Sequence, residues 1–311
     1  MNLDNFYNNY NLVTILGPTA GGKTSVAANI AFNFDGEIIS GDSRQVYRGM
    51  DLGTGKDLAD YTINNKQINY HLIDIVDAGS KYNLFEFQKD FFAAFGKIKN
   101  LNKLPVLCGG TGLYIESIVD NYNILEVPEN KDLRNQLHEM SMIELIAILS
   151  DIKQLHNKSD FDTKKRLIRA IEIEYFYKEN PVKSTIYPKI KSLNIGIKFD
   201  RETQRKRITE RLKQRFSDGM IDEVKLLIEN GISTETLIYY GLEYKFITYY
   251  LIGQLTYNQM FEGLNSAIHQ FQKRQMTWFR KMEKEGIKIH WLDGYMEMQK
   301  KIEIIEKLMI Y

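Results

Sequence analysis

"TILGPTAGGKTSVA" (residues 14–27), followed shortly by "EIISGDSRQVY" (residues 37–47), is the stretch on which the fold turns. Gly17, Gly22, Lys23 and Thr24 satisfy the pattern G-x-x-x-x-G-K-[ST], directly after an apolar run and directly before a helical pattern. Glycines let backbone N–H groups turn toward an anion with no Cβ in the way, and the first turn of the next helix adds its free donors. The lysine brings a mobile positive charge to the outer phosphate, and the Thr24 hydroxyl is a candidate Mg²⁺ ligand. Gly17, Pro18, Thr19, Ala20, Gly21, Gly22, Lys23 and Thr24 are therefore the candidate phosphate-binding residues.

Outward from this loop, short apolar runs alternate with helical patterns. "NLVTILG" (11–17), "EIISGD" (37–42), "YHLIDIV" (70–76) and "LPVLCGG" (104–110) each read as a buried strand closed by turn residues. Between them, Thr24 to Phe34 and Leu84 to Ile98 read as helices, the second with Phe87, Phe91, Phe95 and Ile98 at helical spacing, a core stripe. Such alternation implies a P-loop NTPase-like parallel sheet flanked by helices. From about residue 120 the pattern turns helical without a strand until "SLNIGIKF" (192–199), which reads as an all-helical subdomain inserted at 120–191. The core is then expected from 1–119 and 192–311, with helices over Arg201 to Arg215, Asp218 to Glu229 and Tyr257 to Lys284, and a last strand in "IKIHWLD" (287–293).

Composition narrows the class. Lys and Arg (41) nearly cancel Asp and Glu (40), so nucleic-acid affinity has to come from local clusters rather than a global field. One cysteine, Cys108, permits no intrachain disulfide. With no long apolar run and no signal-peptide pattern in "MNLDNFYNNYNLV", a cytoplasmic protein without a membrane partner is expected.

Two nucleotide readings of the phosphate loop come first. A GTPase is suggested by "NKSD" (157–160), but that tetrapeptide follows a helical segment instead of a strand, and no Asp-x-x-Gly occurs in the chain. A P-loop small-molecule or nucleoside kinase would need an arginine-bearing lid. "DTKKRLIRAIE" (162–172) offers one, with Lys165, Arg166 and Arg169 on one helix face, and the same face also reads as merely solvated. Asp42 closes the second strand beside the cradle, where open α/β sheets place ligands. It reads equally as a functional carboxylate or as the start of a turn.

"GPTAGGKT", "SGDSRQVYRGMDLGTGKD", "YHLID", "LCGGTGLYIES", "KRLIRAIE", "RF" at 215–216 and "KRQMTWFR" (273–280), in this order and spacing, resemble the tRNA dimethylallyltransferases. The resemblance runs from about residue 12 to 293. It implies that the loop holds the diphosphate of dimethylallyl diphosphate, with Mg²⁺, and that the acceptor is the exocyclic amine of an adenosine beside the tRNA anticodon. Asp42 matches the general base, Arg215 an arginine directed at the diphosphate, Thr111 a threonine near the reacting centre, and Lys23 the loop cation. Segments matching tRNA contacts contain Asp42, Ser43, Arg44 and Gln45, then Lys165, Arg166, Leu167, Ile168 and Arg169, then Tyr240 and Gly241. A last segment contains Lys273, Arg274, Gln275, Thr277, Trp278 and Arg280. The inserted helices would be an anticodon-gripping lid, and the protein a monomer.

A target adenosine has to be flipped out of its stack. Gln45 has the chemistry to read its edge, or else holds its own loop. Residues 201–215 carry seven basic and two acidic side chains around Ile208, Leu212 and Phe216, so one face packs and the other is free for phosphates. Trp278 reads as a base-stacking platform or as core. The chain departs from the family at Leu242-Glu243, where Tyr-Lys is usual after the glycine, and at Ile268-His269, where Thr-Arg is usual. These departures make a tRNA-binding paralogue without catalysis a third reading, and a relative that prenylates free adenine nucleotides shares the loop.

Overall fold

The computed structural model describes residues 4–152, 163–181 and 187–310. Contacts divide the chain into Met1–Tyr122 with Lys189–Tyr311, and Asn123–Pro188. In chain order the first unit carries α1 (Asp4–Asn9), β1 (Leu12–Leu16), α2 (Lys23–Asn33), β2 (Gly36–Ser40), β3 (Tyr47–Arg48), β4 (Thr62–Ile63), β5 (Lys66–Gln67), β6 (Tyr70–His71), β7 (Val76–Asp77), α3 (Leu84–Asn100), β8 (Leu104–Gly109) and α4 (Gly112–Val119). The second unit holds α5 (Lys131–Glu139), α6 (Met142–Ile152) and α7 (Lys164–Glu179). The first then resumes with β9 (Ser192–Lys198), α8 (Arg201–Ser217), α9 (Met220–Glu229), α10 (Thr234–Tyr240), α11 (Leu242–Leu251), α12 (Tyr257–Lys284), β10 (Ile289–Asp293) and α13 (Met298–Ile310).

The main sheet runs β10-β9-β1-β8-β2-β6, and every pairing in it is parallel. Val13 stands opposite Val106 on one side and Leu193 on the other. The strands are apolar along their length because both faces are covered. Val13, Ile15, Ile38, Val106 and Ile195 form one core with Val26, Ala27, Ile30 and Ala31 of α2 and Ile305 of α13. Alternation sends Leu12, Leu16, Ile39 and Leu107 the other way, and Phe87, Phe91, Phe95 and Ile98 of α3 are buried. Asn83 and Glu86 close a capping box at the start of α3. A second core of Ile208, Leu212, Val224, Tyr240, Tyr244, Met260 and Leu264 joins the C-terminal helices to Val46, Tyr47 and Met50.

One expected strand differs. Only Tyr70–His71 of the run 70–76 joins the main sheet. Leu72 (φ 62°) and Asp74 (φ 55°) turn the backbone left-handed, and Val76 pairs instead with Tyr47 as β7 against β3. The detour has a use: it braces the segment after Asp42, with Asp74 N donating to Gln45 O at 3.1 Å and Ile75 N to Val46 O at 2.9 Å.

The second unit is helical among its described residues, with a core of Leu137, Leu145, Leu149, Leu167, Ile168 and Ile171. Its buried polar centre is Glu172, which accepts from Arg134 Nε at 2.9 Å, Arg134 Nη2 at 2.7 Å, the Asn130 N–H at 2.7 Å and Arg169 Nη1. The tetrapeptide 157–160 lies outside the described residues.

Candidate active site

Parallel strands end on one edge of the sheet, so the loops after β1, β2 and β8 emerge side by side, as β8 lies between the other two. The loop after β1 is the phosphate cradle. Gly17 (φ 149°) passes so close to the Ile197 carbonyl that a Cβ would strike it, and Gly22 (φ 74°) sits at the N-cap of α2. Thr19 is gripped by two helices: its N–H donates to Gln275 Oε1 at 2.8 Å, its carbonyl accepts from Gln204 Nε2 at 2.6 Å, and its hydroxyl accepts from Arg211 Nη2 at 2.7 Å. Arg207 Nε holds the next carbonyl, Ala20 O, at 3.0 Å. Lys23 donates to Pro18 O at 2.7 Å, and desolvation in the cavity brings its ammonium down to about 8.

Asp42 follows β2. Its Oδ1 accepts from the Arg44 N–H at 2.9 Å, closing a turn, and the residue also lines a cavity of about 610 Å³ with Lys23, Thr24 and Thr111. The turn reading of Asp42 holds, and its carboxylate is at the same time placed on the cavity wall. Thr111, at the start of α4, does not cap that helix. Its oxygen accepts from the Ser43 N–H at 3.1 Å, tying the β8 loop to the β2 loop. Gln45 accepts from the Ser40 hydroxyl at 3.0 Å and donates to Gly55 O at 3.1 Å, so both ends of its amide hold the loop.

Helix α8 supplies the far wall. Arg215 is buried (7% exposed) against Gly55, where a Cβ would collide with its guanidinium, and its Nη2 has no hydrogen-bond partner among the described residues. Arg211, one turn earlier, lines the same cavity, and burial first and Arg215 second pull it down to about 10. A third of its side chain (34%) remains accessible. Asp57 lies 3.8 Å from Arg211 and 3.7 Å from Arg215. Glu243, at the start of α11, is pushed up by desolvation, with the two arginines opposing the shift. Arg211 and Glu243 were not singled out for the site from sequence. Arg211 carried a signal, since it lies four residues before Arg215 and three after Ile208, at the border of the buried stripe.

The cavity suits a divalent cation held in part by its ligand. Thr24 lines it, whereas no group of three or more His, Cys, Asp or Glu among the described residues is placed to cage a metal. A hydroxyl, water and phosphate oxygens form the donor set that Mg²⁺ accepts.

A family model described as IPP transferase matches residues 45–282. The chain is 58% identical over 298 residues to tRNA dimethylallyltransferase 2 of Bacteroides fragilis, covering 96% of this chain and 97% of the relative. The chain belongs to the IPP transferase family. This IPP transferase is also 55% identical to tRNA dimethylallyltransferase 1 of Parabacteroides distasonis, over 94% of this chain and 95% of the relative. A solved tRNA isopentenylpyrophosphate transferase from Bacillus halodurans shares 32% identity at a TM-score of 0.68, covering 96% of this chain and 95% of that one. A eukaryotic dimethylallyltransferase solved acting on tRNA shares the fold, with a TM-score of 0.77 at 22% identity over 96% of this chain and 79% of that one.

The remaining candidate residues of this IPP transferase fall into two groups. Some are inward and committed. Gln275 is buried (6% exposed), accepting from Thr19 N–H and donating to Gly110 O at 2.9 Å, so it clamps the cradle to the β8 loop. Trp278 lies on Gly112 and donates to Glu116 Oε2 at 2.8 Å, while Lys281 donates to Glu116 Oε1 at 2.9 Å. Tyr240 is buried, its hydroxyl accepting from Gly79 N–H at 2.7 Å and donating to Ser80 O at 3.0 Å; Gly241 (φ 78°) turns the chain into α11. Leu167 and Ile168 are core of the helical unit, and Arg169 is engaged by Glu172 and by Val127 O at 2.9 Å. Others are exposed: Lys273, Arg274, Thr277 and Arg280 on α12, and Lys165 and Arg166 on α7. Ile268 lines the cavity and His269 lies on another side of α12, within 3.4 Å of the Thr209 hydroxyl.

Proposed function

We propose that this protein transfers a dimethylallyl group from dimethylallyl diphosphate to the exocyclic amine of an adenosine next to the anticodon of a tRNA, releasing diphosphate. The observation that carries the reading is the convergence of Lys23, Asp42, Thr111 and Arg215 on one cavity at the carboxyl edge of the sheet. The amine nitrogen attacks C1 of the donor, the C1–O bond breaks with its electron pair going to the diphosphate, and the amine proton passes to the Asp42 carboxylate. Because Oδ1 is held by the Arg44 N–H, Oδ2 is the oxygen assigned to that proton. Thr111 positions the Ser43 backbone beside it. Cradle N–H groups, Lys23, Arg211 and Arg215 stabilise the departing charge. Mg²⁺, held by Thr24 and the donor's oxygens, would supply further neutralisation of that charge.

The exposed cations Lys273, Arg274 and Arg280 of α12 are assigned to the RNA backbone, and the helical unit bearing Lys165 and Arg166 to gripping the anticodon arm. Gln45, Gln275, Tyr240, Leu167 and Ile168 are assigned to holding those surfaces in shape, since their polar ends or their burial are already committed. The protein acts as a monomer in this reading. The test uses labelled dimethylallyl diphosphate and Mg²⁺, with unmodified anticodon stem-loop RNA in one tube and AMP in another. Label in the RNA supports the proposal. Label in AMP alone assigns the protein to free-nucleotide prenylation, and ATP consumption on a small acceptor with no prenyl transfer rejects both.

A further inference from the structure

Arg211 and Arg215 stand one turn apart on α8, both lining the cavity, so two like charges share one wall. Glu243 and Asp42 share the cavity with them, but the carboxylate within 4 Å of both is Asp57, with Oδ2 3.8 Å from Arg211 Nη1 and Oδ1 3.7 Å from Arg215 Nη2. Both separations exceed hydrogen-bond length, so the attraction is Coulombic and carries no directional bond. Asp57 precedes the 3₁₀ turn Leu58–Tyr61 and occupies its N-cap position, yet its side chain makes no capping bond there. About half of that side chain (49%) stays accessible.

The backbone that carries Asp57 is, by contrast, fixed. Lys56 is buried, with Nζ bonded to Asp51 Oδ1 at 2.8 Å, to Tyr47 O at 2.5 Å and to Asp74. Gly55 O is held by Gln45, and Gly55 N and Lys56 N both donate to Asp51 O. A rigid turn therefore presents a carboxylate with no hydrogen bond among the described residues beside two guanidiniums, of which the buried one, Arg215, keeps an Nη2 without a partner among those residues. A diphosphate brings more negative charge and several acceptor oxygens, and guanidinium forks bind such groups through paired bonds.

We propose that Asp57 is a displaceable counter-anion of the Arg211–Arg215 pair, aiming both side chains into the cavity, yielding to the donor's diphosphate and competing the product diphosphate off. The inference rests on the proposed reaction, and makes Asp57 a positioning residue that touches no reacting atom. It commits to the anion class, a diphosphate, rather than to the prenyl tail.

The test titrates inorganic diphosphate with Mg²⁺ into the full chain by calorimetry, for the wild type, Asp57→Asn and Asp57→Ser, with melting curves in parallel. Both variants are expected to bind diphosphate about three- to fivefold tighter than the wild type, the size of one partly exposed ion pair. In turnover, the donor KM and the inhibition constant for diphosphate are expected to fall together, while kcat does not rise. A residue that only shaped its loop would lower the melting temperature and weaken binding. Equal or weaker diphosphate binding by the folded variants overturns the inference alone. A wild type that binds no diphosphate overturns the proposed function as well.

Discussion

In the proposed reaction Asp42 has two tasks, one for each oxygen, and an isosteric change separates them. Asp42→Asn keeps an acceptor for the Arg44 N–H but has no carboxylate to take a proton. Prenyl transfer is expected to fall by about 10²–10⁴-fold with donor binding nearly unchanged, read by single-turnover assay and diphosphate titration. Gly55 is the second sensitive position. Its φ of 72° and the guanidinium packed on it leave no room for a methyl group. Gly55→Ala is expected to displace Arg215 and weaken diphosphate binding about tenfold or more, at a stability cost of about 1 kcal/mol. At this scale Lys23 stands out through the loop motif and Asp42 through its strand end, whereas Thr111 is singled out only by the family resemblance. Arg211 is not legible, because its basic run also reads as an RNA-facing surface, and only packing shows Arg207 and Arg211 bonded to the cradle.

Elements fail or hold through their buried polar links. Gln275→Leu would leave the Thr19 N–H and Gly110 carbonyl without their side-chain partner, costing about 1–3 kcal/mol and loosening the cradle, measurable by denaturant melts together with diphosphate affinity. On β2, burial of Glu37 works against its charge, but hydrogen bonds from Lys103, Asn69 and His71 prevail and bring its carboxyl from 4.5 down to about 2. A lowered folded-state value means that its contribution is complete above about 4.5 and disappears as pH falls toward about 2. Glu37→Gln should therefore destabilise at neutral pH by on the order of 2 kcal/mol and flatten the acid limb of the stability curve, read from urea midpoints across that range. Most core strands could be read in advance from their apolar length, and α12 spans Tyr257 to Lys284 as its periodicity indicates. The run 70–76 misled because apolar content carries no trace of the left-handed backbone at Leu72 and Asp74; an aspartate tolerates that conformation, but a leucine gives no sign of it.

For the molecule as a whole, a net charge of +1 supplies little long-range attraction for RNA, and none of the described helices is long and apolar enough to cross a membrane. Binding to an anticodon stem-loop should then depend on a few local phosphate contacts. Lys273→Ala and Arg274→Ala are each expected to lower the slope of log K against log salt by about 1, with similar losses across RNA sequences, as measured by filter binding. The helical region between the α/β segments was visible in the loss of strand signals after residue 120. Its polar centre was not, because a pairing such as Arg134 with Glu172 depends on how helices far apart in sequence meet.

The chain has two tryptophans, and one of them, Trp278, rests on Gly112, the residue after Thr111. The protein thus carries its own optical probe next to a residue of the cavity wall. Trp291 lies over Gly196 in the sheet, so Trp291→Phe leaves a single emitter. Quenching or a spectral shift of that emitter would report donor arrival in real time, without a label on either substrate.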